Sequence, residues 1–400
     1  MKRNDHDRIY RILGLFMALI LSISVLSACG GGEEPEVSTE VTETEYITTE
    51  AQTETEEITT AVVTEAVTEA VTESPILEDD GALALPVILP ENAVLDPLTG
   101  LECSEEKAQR RPVAIMINNI RDALPQQQIC AASVLYECEV EGGITRLLGV
   151  YNDYSDLKAI GSVRSAREYY LDFAANHDAI YVHAGGSDSA YVHFKSRSSA
   201  HIDGVNGPVT GFFYRDPNRA HMRYEHRLVI DGDRLDEAIA FMRYRTTYKS
   251  TFTNPLHFVG PKQSVSLAGG KDANEITVQF GYHQTHFSYD AESNTYLRYQ
   301  NGQKHIDSVN GEQLAYENVL MLFCPYTKTM DTKNHITVDD VGTGKGYYMT
   351  GGKYVEILWS KKTADSAFVL TYASGREVYL TPGKTNIEIV HAADRVTVES

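Results

Sequence analysis

The sequence predicts an α+β protein in which a mixed α/β domain is followed by a mostly antiparallel β domain. Between about residues 95 and 244, β-type segments alternate with helix-type segments, and from about residue 249 onward short β-type segments recur between turns. Residues 81–400 also exceed the usual size of one domain. We therefore expect two domains, at 89–248 and 249–400.

In the first domain, strands are predicted at 113–117, 133–141 and 144–151. Segment 133–141 alternates cleanly, with Glu137, Glu139 and Glu141 on one face. Gly142 and Gly143 predict a two-residue hairpin turn to the next strand. This register places Glu139 opposite Arg146 and Glu137 opposite Leu148.

Helices are predicted where capping residues precede periodic segments. Ser165 and Glu168 have the spacing of a capping box, which predicts a helix over about 166–176. A strand at 179–183, a helix starting near Asp188 or Ser189 and a helix over 235–244 follow.

The second domain contains short β-rich segments separated by glycine turns. Strands are predicted at 276–280, 285–289, 295–299, 346–349, 354–359, 367–372, 377–380 and 385–390. These short segments and tight turns are typical of an antiparallel domain.

The N-terminus has the pattern of a secretory signal peptide. Four basic residues within 1–11 precede an apolar run over 12–26, which is short for a bilayer span of roughly 20 residues. The run ends in Leu26, Ser27, Ala28 and Cys29, which resembles the lipobox of bacterial lipoproteins. The resemblance implies removal of residues 1–28, lipidation of Cys29, and anchoring at the outer face of the cytoplasmic membrane.

Residues 29–88 are predicted to be a disordered acidic spacer that extends the body into the cell wall. The chain has a net charge of −21, residues 30–80 hold 16 acidic residues without Lys or Arg, and residues 1–29 contribute +2, so residues 81–400 carry −7. Threonine, valine and like charges in the spacer disfavour both a packed core and a helix. The negative body and the secretory address argue against a nucleic-acid partner.

The remaining cysteines and the histidines do not predict a metal site or a cofactor. Cys103, Cys130, Cys138 and Cys324 lack CxxC spacing, and both a Cys130–Cys138 disulfide and reduced thiols remain open. The histidines between 177 and 226 lack metal-ligand spacing. We therefore expect structural or surface roles for them.

Several motifs, in order, resemble the YerB-type lipoproteins of Gram-positive bacteria. They are RPVAIMINN at 111–119, VEGGITR at 140–146, VRSAR at 163–167, VHAGGS at 182–187, GKGYY at 344–348, LWSK at 358–361 and LTPGKT at 380–385. The resemblance covers nearly all of 95–393 and implies two domains on a surface lipoprotein, with no agreed activity. Asn386 departs from the pattern, which favours an aromatic residue there.

Arginines around the predicted helix at 166–176 form the first candidate site. Arg164 and Arg167 lie at a helix N-terminus, which favours anions, and Arg146 and His183 are predicted to face the same cleft. One hypothesis is an envelope module that binds an anionic glycan, such as a cell-wall polymer, or an envelope protein. The competing interpretation is that these arginines pair with Glu137, Glu141 or Asp172 inside the fold.

A wall-modifying enzyme is the alternative function. Two of Glu137, Glu139 and Glu141 could act as acid and base in a glycan hydrolase, although side chains two apart on a strand point in parallel instead of bracketing a substrate. The order of strands and arginines is also loosely similar to that of phosphoglycan transferases, without a matching motif. Solvated or arginine-paired glutamates are the competing interpretation.

Overall fold

A long mixed β-sheet runs through the part of the chain that the computed structural model describes, which is residues 76–77, 81–84 and 87–400. The longer strands are β1 Val113–Asn118, β2 Val134–Glu139, β3 Thr145–Tyr151, β4 Ile180–His183, β5 Glu275–Gln279, β6 Gln284–Asp290, β7 Thr295–Gln300, β8 Asn318–Phe323, β9 Gly342–Thr350, β10 Lys353–Lys361 and β11 Thr385–Val390. The helices of these residues are α1 Glu105–Gln109, α2 Glu168–Asn176, α3 Asp188–Arg197 and α4 Gly232–Phe241.

Within the described residues the central sheet has eleven strands. Its order is Lys271–Asp272, β10, β9, β8, β11, β2, β3, β1, β4 and His201–Asp203, and Val369–Thr371 pairs with β10. β11 pairs in parallel with both β8 and β2, so a strand from the C-terminal half joins the two halves of the sheet. The α+β class is confirmed, and the boundary at 248/249 stays a prediction.

A second, antiparallel sheet is built from the C-terminal half. Its order is Gln303–Lys304, β7, β6, β5 and Val396–Glu399, and Ala315–Tyr316 pairs with β7. The shorter pairings are Ile160–Gly161 and Tyr214–Arg215 with Leu228–Ile230, Ile76–Leu77 with Leu83–Ala84, His257–Phe258 with Tyr379–Leu380, and Tyr326–Lys328 with Ile336–Val338. The mostly antiparallel character of the C-terminal half is therefore confirmed.

Both faces of the central sheet are covered, and alternate residues of each strand contribute to different cores. On one face, Tyr136 and Leu148 pack in a cluster with α2 and α3, and we call this the helix face. On the other face, Leu135 and Leu147 pack in a cluster with α4 and the second sheet, and we call this the sheet face. This double burial explains why all six positions of β1 are buried and its sequence is nearly continuously apolar.

The predicted register of the β2–β3 hairpin is wrong by one residue. Glu137 lies opposite Leu147, Cys138 opposite Arg146, and Glu139 opposite Thr145. The connection is longer than two residues because Glu141–Gly143 forms a 3-10 turn, with φ of 74° at Gly142 and 71° at Gly143, and the amide of Val140 donates to the carbonyl of Ile144 at 2.8 Å. A shift of one residue reverses the faces. Arg146 therefore lies on the helix face, whereas Glu137 and Glu139 lie on the sheet face.

The predicted capping box at Ser165 is also wrong. Helix α2 begins at Glu168 with Arg167 as N-cap and no side-chain cap, because Ala166 is held in extended backbone by its amide hydrogen bond to Gly185 O at 2.8 Å. The predicted start of α3 is confirmed, since it begins at Asp188 and the Ser187 hydroxyl accepts from the amide of Ala190 at 3.2 Å.

The two serines give a matched prediction. Ser187→Ala should lower the free energy of unfolding by about 1 kcal/mol, because the Ala190 amide loses its cap. Ser165→Ala should change it by less than about 0.5 kcal/mol. Urea unfolding of both variants checks this, and an equal loss in both would show that Ser165 does cap α2.

The N-terminal predictions fall mostly outside the described residues. These include the signal peptide at 1–28, Cys29 and most of the spacer at 29–88. Near the end of the spacer, Ala82 is buried and the amide of Ile88 donates to Gln263 Oε1 at 2.9 Å. Across the described residues no helix has the length and apolarity to span a bilayer. Cys103, Cys130, Cys138 and Cys324 are unpaired thiols.

Candidate functional site

A carboxylate lies buried between the central sheet and the second sheet. Glu137 projects from the sheet face of β2 and has no exposed surface. Its two oxygens contact Asn119 Nδ2 (2.8 Å), Thr145 Oγ1 (2.5 Å), Thr285 Oγ1 (2.6 Å), His283 Nε2 (3.1 Å) and the Arg298 guanidinium. Burial opposes ionisation, but Arg298 and His283 outweigh it and hold the pKa of Glu137 well below its usual range.

The same carboxylate closes a ring of hydrogen bonds. Arg298 donates to His305 Nδ1, and His305 Nε2 donates to Gln126 Oε1 at 2.7 Å. Gln126 Nε2 donates to Asn119 Oδ1 at 3.0 Å, and Asn119 donates to Glu137. A guanidinium can only donate, so Nδ1 of His305 must accept and its proton is on Nε2. We call these five residues the Glu137 ring; it joins the loop after β1 to the second sheet.

A second buried carboxyl group lies beside the ring. Glu388 of β11 is the register partner of Glu137 in the central sheet and is equally buried. Burial, and then repulsion from Glu137, raise the pKa of Glu388 well above its usual range. Asn386, the residue that departs from the family pattern, donates to Glu388 Oε1 at 2.7 Å. An aromatic residue at this position would remove that hydrogen bond from the buried polar cluster.

A cleft of about 790 Å³ opens above the ring. Its floor is made of side chains that are all under 7% exposed, namely Asn119, Thr145, His283, Gln300 and His305. Its walls and rim are Ile120, Arg121, Leu124, Pro125, Ile144, Tyr282, Asn301, Gln303, Lys304 and Ile306. The ring fixes the floor, because Asn119 and His305 belong to both.

One lip of the cleft carries an exposed aromatic side chain. Tyr282 is 86% exposed, and its amide donates to the carbonyl of Gly143 at 2.8 Å. Behind it, a Cβ at Gly281 would lie only 2.5 Å from Gly143 Cα, so this approach of the two hairpin tips requires glycine. The backbone contact positions Tyr282 while its ring stays free for a ligand.

The charge of the cleft differs from that of the body. Arg121 and Lys304 are exposed, and no Asp or Glu is found among the described residues that line the cleft. Residues 81–400 carry a net −7. A cationic, aromatic and amide-rich cleft on an acidic body favours an anionic ligand.

Two of the sequence-predicted arginines form an internal ion-pair cluster. Glu141 accepts from Arg146 Nη2 at 3.2 Å and from Arg167 Nε at 2.9 Å, and both arginine side chains are 6% exposed. Burial opposes ionisation of Glu141, but the two arginines outweigh it and lower its pKa to about 2. Arg164 is half-buried close by; its backbone amide donates to Met116 O at 2.9 Å, and its side chain has no hydrogen bond or ion pair with any described residue.

In the structure both ring nitrogens of His183 already have partners, so this side chain is not available to a ligand at the arginine cluster. His183 is buried, its Nδ1 donates to Gly185 O at 2.8 Å, and its Nε2 contacts His201 Nδ1 at 3.0 Å. Burial lowers the pKa of His183 to about 4. Its contacts instead order the glycine loop after β4.

The three predicted acid/base glutamates point to three different surroundings. Glu137 lies in the ring, Glu141 pairs with the arginines, and Glu139 Oε2 accepts from the amide of Gly281 at 3.3 Å. The structure therefore does not bring them together as a pair around one ligand.

Sequence reasoning missed the floor of the cleft. The histidines that the sequence offered as possible metal ligands lie between 177 and 226, whereas His283 lies in the turn between β5 and β6 and His305 directly follows Gln303–Lys304. The available local signal was Tyr282 beside Gly281 in a tight turn, which exposes an aromatic ring between two predicted strands. The convergence of residues from 119 to 305 depends on sheet packing that no local pattern encodes.

Comparisons with known proteins give consistent matches. Residues 98–245 match the family described as "Protein of unknown function (DUF3048) N-terminal domain", and residues 276–387 match its C-terminal domain. The chain is 27% identical over 309 residues to "Putative lipoprotein YerB" of Bacillus subtilis (strain 168), covering 76% of this chain and 88% of that protein. The crystal structure of YerB from Bacillus subtilis matches with a TM-score of 0.66 and 26% identity, covering 76% of this chain and 99% of that one.

Proposed function

The chain belongs to the YerB-like two-domain family, and on that premise we propose that it is a lipid-anchored envelope protein that binds an anionic glycan. The anchor is the lipid on Cys29, and the location is the outer face of the cytoplasmic membrane, with the spacer extending the body into the cell wall. The similarity to a protein named as a lipoprotein supports the anchor.

The cleft above the Glu137 ring is the observation that carries the binding proposal. Arg121 and Lys304 supply positive charge at the rim, and Tyr282 supplies an aromatic face of the kind that stacks on sugar rings. The buried ring holds the floor in one geometry before a ligand arrives, which reduces the ordering cost of binding.

This site replaces the arginine cluster as our candidate for the glycan. The guanidinium donors of Arg146 and Arg167 are engaged by Glu141 and by the carbonyls of Ser165 and Ala166. An envelope protein partner remains the second occupant to test. The wall-modifying enzyme is the alternative function. The cleft supports it less than binding, because Glu137 is buried beneath the floor and no Asp or Glu is found among the described residues that line the cleft.

Removing the rim charges should weaken glycan binding. The double variant Arg121→Ala, Lys304→Ala should bind a purified anionic wall glycan about tenfold or more weakly, because two charge-assisted contacts are lost. Tyr282→Ala should weaken binding and leave the fold intact, since the ring is 86% exposed. The measurement is calorimetric titration of the full-length lipidated protein in detergent, at low and high salt.

The matched control is Lys333→Ala, Lys362→Ala, which removes the same charge from exposed positions outside the cleft. It should bind like the wild type. If the rim variants also bind like the wild type, whereas Arg164→Ala, Arg167→Ala loses binding, the cleft is the wrong site.

A further inference from the structure

A second cavity lies on the other side of the turn that carries Tyr282. This turn joins β5 to β6, and the amide of Phe280 donates to the carbonyl of His283 at 2.9 Å across it. Tyr282 and His283 line the cleft, whereas Phe280 lines a separate cavity of about 160 Å³. Two consecutive steps of the backbone span at most about 7 Å. One short turn is therefore the wall between the two cavities.

The second cavity, which we call the Glu139 pocket, lies at the same edge of the central sheet as the cleft. Glu139 and Val390 line it, and they are the last residues of the parallel strands β2 and β11. Asn119, in the floor of the cleft, follows β1, which runs in the same direction as β2 because both pair antiparallel with β3. In open sheets, ligands often bind beyond the carboxyl ends of parallel strands.

The Glu139 pocket offers accessible donors. Lys328 and Arg395 line it, are exposed, and have no side-chain hydrogen bond or ion pair with any described residue. His391 is also exposed, and its Nδ1 accepts from the amide of Tyr326 at 2.7 Å, which leaves Nε2 as the ring nitrogen that can donate. Ammonium and guanidinium groups without an internal partner are available to an anionic ligand.

The path from the cleft to the Glu139 pocket crosses Gly281. This residue is exposed and carries no side chain, so a ligand chain can pass over the turn. Its amide donates to Glu139 Oε2 at 3.3 Å, whereas Glu139 Oε1 reaches solvent and has no partner among the described residues. An accessible carboxylate oxygen can accept from a hydroxyl group of a sugar. The two cations Lys328 and Arg395 outnumber this one carboxylate, so the pocket favours an anion.

We propose that the anionic glycan crosses Gly281 and occupies the cleft and the Glu139 pocket together, with Lys328 and Arg395 holding a second anionic group. This inference rests on the proposed function and deepens it, because the protein then recognises a stretch of several repeating units. The ligand class is a polymer whose anionic groups recur along the chain. Binding at the second site is intramolecular once the first is occupied, which raises the affinity of a ligand long enough to reach both.

The test is a length series of synthetic glycerol phosphate oligomers with two, four, six and eight units. Calorimetric titration of the full-length lipidated protein in detergent gives the affinity for each. Affinity should rise at least about tenfold between two and six units and then level off, as expected when one chain comes to span two sites. An affinity that rises only in proportion to the number of units, as for a single site, overturns the inference.

The protein side of the test is the double variant Lys328→Ala, Arg395→Ala. It should bind the six-unit oligomer about tenfold more weakly and the two-unit oligomer like the wild type, because the short oligomer binds in the larger cleft. Lys333→Ala, Lys362→Ala removes the same charge outside both cavities and should leave both affinities unchanged. An equal loss in the two variants, or no loss in the first, contradicts the assignment.

The rim variants distinguish the two levels of failure. If Arg121→Ala, Lys304→Ala weakens binding of every oligomer but the wild type shows no steep dependence on length, the cleft binds anions and only the spanning inference fails. If the rim variants change no affinity, or the wild type binds no oligomer, the proposed function itself fails.

Discussion

Arg298→Met should lower the free energy of unfolding by about 3–5 kcal/mol near pH 7, because it leaves the carboxylate of Glu137 buried without its counter-ion. Arg298 and Glu137 both have no exposed surface, and Arg298 also anchors His305 in the Glu137 ring. Guanidinium unfolding monitored by circular dichroism gives the value. The double variant Glu137→Gln, Arg298→Met should recover a large part of the loss, since no buried charge remains.

The loss should depend on pH in a defined direction. In the wild type, folding lowers the pKa of Glu137. The carboxylate therefore adds to the free energy of unfolding above the pKa of the unfolded chain, about 4.3, and this contribution is lost as pH falls through the pKa of the folded protein. Without Arg298, burial should raise the folded pKa of Glu137, and the difference from wild type should shrink on acidification below that pKa. A loss that stays constant from about pH 7 to pH 4 contradicts this account.

Lys353→Met is the matched control for this experiment. Lys353 pairs with Asp272 at 2.8 Å, but the two side chains are 36% and 58% exposed. Exposed ion pairs contribute about 0–1 kcal/mol, so this variant should lose little stability at any pH. A loss equal to that of Arg298→Met would show that burial is not the cause.

Glu141→Ala should have the second-largest effect, a loss of about 2–4 kcal/mol, because Arg146 and Arg167 would share a nearly buried site without an anion. The pKa of Glu141 in the folded protein is about 2. Its contribution to the free energy of unfolding is therefore present above the pKa of the unfolded chain, about 4.3, and is lost as pH falls toward about 2. Urea unfolding at neutral and acid pH measures both features.

The control for Glu141 is Glu377→Ala, whose side chain is 52% exposed beside His257. It should change stability by less than about 1 kcal/mol. If Glu141→Ala is equally mild, the two arginines do not depend on Glu141, and the original idea of an anion site there regains support.

The sequence predicted those elements whose signal is local. The strands at 113–117 and 385–390 and the start of α3 agree with the structure, because an apolar run or a cap is read from adjacent residues. β8 was missed, since its sequence is a short apolar run after Asn318 that periodicity alone does not assign. The strand–loop–strand order and the alternation of β2 were also correct.

The candidate site was predicted far less well. The hairpin register depended on whether Gly142 and Gly143 form a two-residue turn or belong to a 3-10 turn. The resulting shift of one residue in the strand pairing decided on which face of the sheet Arg146 lies. The three glutamates were recognised, but the partners that Glu137 and Glu139 find in the second sheet and its turns, Arg298, His283 and Gly281, were not. Such pairings follow from packing between distant segments and not from spacing along the chain.

Hydrogen–deuterium exchange of the full-length lipidated protein, with and without a purified anionic wall glycan, tests the central claim that the cleft is the binding site. We predict slower exchange at the amides of 119–124, 143–145, 281–284 and 300–306, which surround the cleft, and no change at 163–168 or 183–187. Protection confined to 163–168 and 183–187 would contradict the claim and return the site to the arginine cluster.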